Sequence, residues 1–473
     1  MAKIEMDFVG SKIFTLKDQN LFADFCGDIN PIHVDPIAAR RTLHGQCIVH
    51  GIHGLLWALE IFCSSQQRAI SKAKVTFLQP IFLEERVSCY WDRKDRLEIR
   101  TDETVLVTIK LKSYDASLAV ISSGLGWEQA QAIQYPRQQT FLEAASLKEQ
   151  RFAIVGDPHL ATELFPFFTT IHGELVTCEI GALSYVVGME CPGMHSLFAS
   201  LNLEIQDSDS KPYFEVSSCE ERFNLLIIDL IGSKITGQAQ VFFRPPPTLN
   251  PTVAQISQQV LTNEFSQVRA LIIGGSRGIG EVVAKIIAAG GGLASITYHV
   301  GHEDAARVSN EIKGWGGSCT AVQLTVDSDF RFLLDLTQFN QIYYFATPKI
   351  AEHRSELSDK QRHASYKNIY ETAFEALCNK LIAARSRCTV FYPSTVFIVE
   401  PNPEVEPYAN IKRAAEEVCE KINRLGMIQI VVARLPRLAT DQNQSMMKND
   451  FEDIVDVILP YVRLMRQAKD NLV

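Results

Sequence analysis

GDINPIHVDP occupies Gly27–Pro36, and IVHGIHGLL follows at Ile48–Leu56. Gly27 and Pro31 shape a tight loop in the first stretch, so that Asp28 and His33 can converge on one water molecule. Histidine titrates near neutrality and can pass a proton either way, while a carboxylate can orient and polarise the water. Without other support, the same letters suit an Asx-type turn carrying a loop histidine. The second stretch decides between them. It opens a long apolar helix, about His50 to Ser64, at Gly51, whose amide and helix dipole can hold a carbonyl oxygen as negative charge develops. Water activation beside a polarised carbonyl suits addition of water to an α,β-unsaturated thioester, or the reverse elimination. Helical periodicity precedes the loop over Leu16–Cys26. β-branched runs follow the helix: KAKVTFLQPIFL, RVSCYW, DRLEIRT and ETVLVTIKLKS. The block therefore predicts a helix wrapped by an antiparallel sheet.

FADFCGDINPIHVDPIAARRTLHGQCIVHGIHGLL resembles the signature of MaoC-like (R)-specific enoyl-CoA hydratases, which adopt the hot-dog fold. KVTFLQPIFLEERV extends the likeness, which covers roughly residues 10–113. The resemblance implies that Asp28 and His33 are the catalytic pair and that the Gly51 amide faces the thioester carbonyl. It places Asn30 in the same loop, and Asn30 and His50 are expected to join Gly51 in binding substrate. His44, His50 and His53 lack the carboxylate or cysteine cluster that would complete a metal site, so packing and polar roles are expected of them and no metal.

Residues 145–246 repeat the same order weakly. PGMHSLFASLNLEI aligns with HGIHGLLWALEIF as a second helix, and YFEVSSCEERFNLLIIDLI and SKITGQAQVFF read as strands. Before that helix stands IGALSYVVGMEC, with no counterpart of the GDINPIHVDP loop. The block resembles a second hot-dog copy stripped of its catalytic loop. Its expected role is structural, completing a paired sheet and shaping the acyl tunnel, with His195 and Ser196 as lesser candidates for substrate contact.

RPPPTLNPT (Arg244–Thr252) is a proline-rich junction. Beyond it, short apolar runs alternate with helices: RALIIGG, LASITYHV, CTAVQLTV, QIYYFA, CTVFYPS and IQIVVARLP. That alternation predicts a doubly wound parallel sheet. VRALIIGGSRGIGEVVAKIIAA places Gly274, Gly278 and Gly280 where bare backbone can approach a pyrophosphate at a helix N-terminus. Tyr408 and Lys412 share one helix face in a YxxxK spacing, where the lysine charge can lower the tyrosine's pKa.

These features resemble the short-chain dehydrogenase/reductases, in particular their 3-oxoacyl-thioester reductases. The resemblance implies cofactor contacts from Gly274, Ser276, Arg277, Gly278, Ile279, Gly280, Asp327 (beside the adenine), Ala346, Lys412 and Thr440. It implies catalysis by Tyr408 and Lys412, Asn368 as a proton relay, and a carbonyl-fixing hydroxyl from Ser394 or Thr395. Residue type favours Ser394 and spacing favours Thr395. LASITYHV ends without an acidic residue and Arg277 can face a 2′-phosphate, so NADPH is expected over NAD. Three features depart from the family: FATP (Phe345–Pro348) in place of NNAG, Arg437 in place of a glycine, and a short C-terminal tail.

A net charge of −9 without a dense Lys/Arg run argues against nucleic acid or an anionic membrane as partner. Eleven cysteines without CxxC pairs suggest reduced thiols in a cytoplasm. The expected architecture is an α+β double hot dog followed by an α/β Rossmann-like sheet. Its parts are a catalytic hot dog at 1–130, a second copy at 145–246, a linker at 247–266 and a reductase-like domain at 267–473. The expected function joins (R)-specific 2-enoyl-thioester hydration to NADPH-dependent 3-oxoacyl-thioester reduction, two steps sharing one 3-hydroxyacyl intermediate. The substrate would ride on CoA or an acyl carrier protein, with a homodimer formed through the reductase domain. Two alternatives are a hydratase whose reductase domain is only a scaffold or cofactor sensor, and a non-enzymatic thioester-binding or carrier-docking module.

Overall fold

A computed structural model describes residues 6–42, 44–102, 104–118, 131–208, 210–326, 335–348, 359–400, 402, 405–440 and 451–468. The chain divides into two compact units, Met1–Pro246 and Pro247–Val473.

The first unit holds a ten-stranded antiparallel sheet. Its strands are β1 (Asp7–Ile13), β2 (Arg68–Phe77), β3 (Arg86–Trp91), β4 (Arg96–Arg100), β5 (Val105–Asp115), β6 (Gln150–Arg151), β7 (Ser196–Ile205), β8 (Tyr213–Glu220), β9 (Leu225–Ile231) and β10 (Ile235–Phe243). They run in the order β1-β3-β4-β5-β2-β7-β10-β9-β8-β6. From either edge to the middle, the strands of each half come first, third, fourth, fifth and second in chain order. The halves meet where β2 pairs antiparallel with β7, from Lys72 opposite Glu204 to Thr76 opposite Ser200. Each half sets one helix against the sheet, Gly51–Gln66 in the first and Glu174–Tyr185 in the second, and a single apolar core includes both. The described residues of 1–130 and 145–246 thus share one sheet and one core.

The helix expected at PGMHSLFASLNLEI is a strand. Pro192 and Gly193, the latter at φ 76°, interrupt the chain before it. Ser196–Ile205 then supplies β7, paired on both sides, so sheet pairing overrides the apolar run's resemblance to a helix. The second half's helix is instead Glu174–Tyr185, continued by a π-helical turn at Val186–Glu190. Its residues Val176–Tyr185 are all buried, Thr177, Glu179 and Ser184 included, so it carries no exposed polar stripe. Most of IGALSYVVGMEC, expected to precede the second helix, belongs to that helix and its π turn.

The second unit holds a parallel sheet of β11 (Arg269–Ile273), β12 (Leu293–Tyr298), β13 (Ser318–Gln323), β14 (Gln341–Tyr344), β15 (Thr389–Thr395) and β16 (Gln429–Leu435). Their order, β13-β12-β11-β14-β15-β16, is doubly wound with its switch between β11 and β14. Residues 247–266, expected as a linker, are part of this unit, because Val253, Ile256, Val260 and Phe265 pack into its core. All eleven cysteines are free thiols, and ten are buried. Among the described residues no helix is long and apolar enough to cross a membrane.

Candidate active sites

The helix Leu16–Cys26 ends at Gly27, whose φ of 81° turns the chain into the loop. A Cβ at Gly27 would sit 3.1 Å from Tyr185 and Val155, so the turn needs glycine for conformation and for space. Asp28 follows and is buried. Its Oδ2 accepts from Ser184 Oγ at 2.7 Å and its Oδ1 from the Asn30 amide at 3.1 Å. Burial pushes the carboxyl up to about 7, against the pull of those two hydrogen bonds.

His33 has its Nδ1 2.8 Å from the Ile48 carbonyl. A carbonyl can only accept, so Nδ1 carries the hydrogen and Nε2 keeps its lone pair. Burial brings His33 down to about 4, with Arg244 and His44 adding to the effect. His50 stacks on His33 with ring centroids 3.9 Å apart. One ligand-type atom from each of Asp28, His33 and His50 falls within 4.8 Å of the others, close enough for a metal ion. His33 Nδ1 and His50 Nε2, however, each lie against a backbone carbonyl, Ile48 and Asp28 respectively.

These groups line a cavity of about 230 Å³. Gly51, Phe77 and Pro80 contribute from the first half, and Ser184, Val187, Gly188, Ser196 and Phe198 from the second. Gly51 is the first residue of its helix, where backbone amides have no intrahelical partner, and a Cβ there would meet Phe77 at 3.1 Å. Asn30 and His50, expected as substrate contacts, also bond within the fold, and His50 lines the cavity. The Asn30 side-chain Nδ2 donates to the Gly188 and Gly193 carbonyls at 2.9 and 3.2 Å, tying the loop to the second half. His50 Nδ1 lies 2.9 Å from Gln19 Oε1, so both its ring nitrogens face protein oxygens and it braces the pair. His53 stacks on Phe22 in the core, and Ser196 lines the cavity while His195 packs beside Phe243.

In the second unit, the turn after β11 brings bare backbone to the start of the helix Gly278–Ala289, which Arg277 precedes as its cap residue. Gly274, at φ 80°, packs so closely on Phe345 that a Cβ would approach its carbonyl to 2.8 Å. Thr297 of β12 accepts from the Gly274 and Gly275 amides. A Cβ at Gly278 would meet nothing closer than Thr440, at 3.8 Å. Ser276 is buried and Ile279 half-buried beside them. An open helix N-terminus flanked by Thr440, with Phe345–Ala346 against the glycine turn, fits the pyrophosphate of a dinucleotide. Asp327 lies outside the described residues.

The helix Glu406–Arg424 carries Tyr408 and Lys412. Lys412 is buried, donates to the Pro393 carbonyl at 2.7 Å and sits 4.0 Å over the Tyr370 ring. Burial lowers it to about 7. Lowering of the Tyr408 pKa by Lys412 is not what this structure shows. Burial, with Tyr366 adding, pushes Tyr408 up, while the Lys412 ammonium lies 5.8 Å from the Tyr408 ring. Ser394 is turned elsewhere, donating to Glu416 at 2.5 Å, and Arg434 pairs with the same carboxylate. Thr395 is buried beside it and accepts from the Phe397 amide at 3.3 Å. Asn368 opens a π-helical turn, Asn368–Ala373, whose Ile369 and Tyr370 carbonyls accept from Tyr344 and Tyr392.

Residues 3–115 match the family model described as MaoC-like domain. The N-terminal domain is MaoC-like. Residues 270–457 match the NAD dependent epimerase/dehydratase family. No curated protein matches the chain. Among solved structures, it is similar to FolM alternative dihydrofolate reductase 1 from Brucella suis in complex with NADP, at 17% identity. That likeness covers 44% of this chain and 90% of the other, with a TM-score of 0.35. A short-chain dehydrogenase from Burkholderia cenocepacia J2315 in complex with NADP shows 22% identity, 42% and 91% coverage and a TM-score of 0.36. Landomycin C-6 ketoreductase LanV with bound NADP and rabelomycin shows 18% identity, 42% and 89% coverage and the same TM-score. Likenesses this loose say nothing of substrate.

The MaoC-like domain's loop and helix bring Asp28, His33 and Gly51 to one cavity. Sequence reading missed Ser184 and Gly188 across it, because they sit in a stretch whose helix was not recognised. One local signal was present: a serine and a glycine four residues apart within an otherwise apolar run.

Proposed function

We propose that the first unit hydrates trans-2-enoyl thioesters to (R)-3-hydroxyacyl thioesters and catalyses the reverse. The opposed proton affinities of Asp28 and His33 at the Gly51 cavity carry this reading. Neutral His33 offers its Nε2 lone pair to take a proton from water as the water oxygen bonds to C3. Asp28, holding its proton up to about pH 7, gives it to C2. The Gly51 amide receives the negative charge that builds on the thioester oxygen between these events. In elimination the same protons run backwards. The mirrored strand order supports reading residues 145–246 as a second hot-dog copy.

The second unit is assigned NADPH-dependent interconversion of 3-oxoacyl and 3-hydroxyacyl thioesters. The glycine turn with Ser276, Arg277, Ile279, Ala346 and Thr440 would hold the dinucleotide, which supplies hydride when bound. Tyr408 would exchange the proton at the C3 oxygen, Lys412 would support it through its charge, Thr395 would orient the carbonyl and Asn368 would relay protons. The upward shift of Tyr408 and the engagement of Ser394 by Glu416 favour a second reading, a reductase domain kept as scaffold or cofactor sensor.

Crotonyl-CoA hydration, followed by loss of thioester-conjugated absorbance, tests the first activity. NADPH consumption with acetoacetyl-CoA tests the second. Full function requires both, with mass spectrometry finding 3-hydroxyacyl and 2-enoyl products from 3-oxoacyl-CoA and NADPH. Hydration without NADPH consumption selects the second reading. Neither signal leaves a binding module, whose thioester affinity would survive Asp28→Asn.

A further inference from the structure

We infer that Ser184 and Gly188, from the half of the first unit that carries no loop, are positioning residues for Asp28. The inference rests on the catalytic role proposed for Asp28. Ser184 Oγ donates to Oδ2 at 2.7 Å, and among the described residues it is the side chain hydrogen-bonded to that carboxylate. Gly188 lies one helical turn further on, within the π turn, and a Cβ there would fall 2.4 Å from both carboxylate oxygens. The Gly188 carbonyl also accepts from the Asn30 side-chain Nδ2. A helix widened at a π turn, bare at one residue and carrying a hydroxyl four residues earlier, is shaped to receive a carboxyl group.

The titratable groups facing Asp28 are Cys26 at the end of the preceding helix, His33 in its own loop, and His50 at the start of the facing helix. Burial keeps all three neutral near pH 7, raising the thiol and lowering the imidazoles. Ser184 therefore supplies the main counterweight to desolvation at Asp28, with the Asn30 backbone N–H second. Without it the carboxyl holds its proton to higher pH, so the acid form persists past neutrality.

The test is the pH profile of kcat/KM for crotonyl-CoA hydration by the full chain. Wild type falls on the alkaline side near pH 7. Ser184→Ala moves that limb upward by about one to two pH units, the weight of a hydrogen bond to a charged group, while KM holds. Ser184→Thr restores it. Gly188→Ala, which forces the carboxylate aside, lowers kcat by about a hundredfold with the circular dichroism spectrum unchanged. An alkaline limb unmoved in Ser184→Ala, with only the plateau lowered, overturns the inference. If wild type shows no hydration, the catalytic reading fails separately. The midpoint of Asp28 is then read from the pH dependence of Tm, wild type against Asp28→Asn. Ser184→Ala moving that midpoint upward supports the positioning role, and an unmoved midpoint overturns it.

Discussion

Burial acts on Asp28 and His33 in opposite senses, because it disfavours whichever form is charged. The carboxyl keeps its proton to about pH 7 and the imidazole stays neutral down to about pH 4. In the window between, one group holds a proton and its neighbour can accept one, so kcat/KM should be bell-shaped over that range. Hydration and elimination use the same singly protonated pair and should share one profile. A profile that instead rises through pH 7 would mean that ionised Asp28 is the working form. Removing either partner, by Asp28→Asn or His33→Ala, should lower kcat/KM about 10²–10⁴-fold in the crotonyl-CoA assay with unchanged thermal stability of the second unit. That both residues face one cavity was legible in the sequence, since a loop fixed by Gly27 and Pro31 leaves little choice of direction. Asn30 and His50 carry bonds that the sequence did not show. Their polar atoms are spent on the Gly188 and Asp28 carbonyls, contacts made across the fold or back to the loop that no local spacing reveals.

Among the elements, the second half's helix was the hardest to read, and β7 was mistaken for it. An all-buried helix lacks the polar stripe that marks period 3.6, whereas β7, with Leu201 and Leu203 inward, imitates helical spacing once Phe198 is counted. The parallel strands of the second unit were easier, because most, though not the exposed β13, are short apolar runs closed by a turn. Buried Glu179 on the Glu174–Tyr185 helix explains how that helix is pinned. Its carboxylate accepts from the Ser233, Lys234 and Ile235 amides and from Ser233 Oγ, at 2.5 to 3.1 Å, capping the turn between β9 and β10. A Cβ at Gly232 would strike that carboxylate at 2.4 Å. Glu179→Ala leaves those donors unmet and should destabilise the first unit by about 2–4 kcal/mol. Urea unfolding followed by circular dichroism checks this, and a change below about 0.5 kcal/mol would show the turn to be capped by water as well as by Glu179.

Across the whole molecule, acid should act on the first unit through its histidines. Burial holds His33, His44, His172 and His195 at about 4 and His53 at about 3, with His50 also well below its ordinary value. An unfolded chain takes up protons on these residues below about pH 6.5, while the folded unit resists until much lower pH. The unfolded state therefore binds more protons in that window, and stability is complete above it and lost as pH falls from about 6.5 toward 4. Asp28 runs the other way. Its raised carboxyl favours the folded state at low pH, and that contribution is lost as pH rises from about 4 to about 7. Six histidines against one carboxyl make the net slope positive. Calorimetry should show the first unit's transition dropping between pH 6.5 and 5. Replacing His53, which stacks on Phe22 away from the cavity lining, by Phe should flatten that drop without moving the alkaline limb of the hydration profile. A first-unit Tm indifferent to pH across that range would mean these imidazoles are solvated as freely in the native protein as in the unfolded chain.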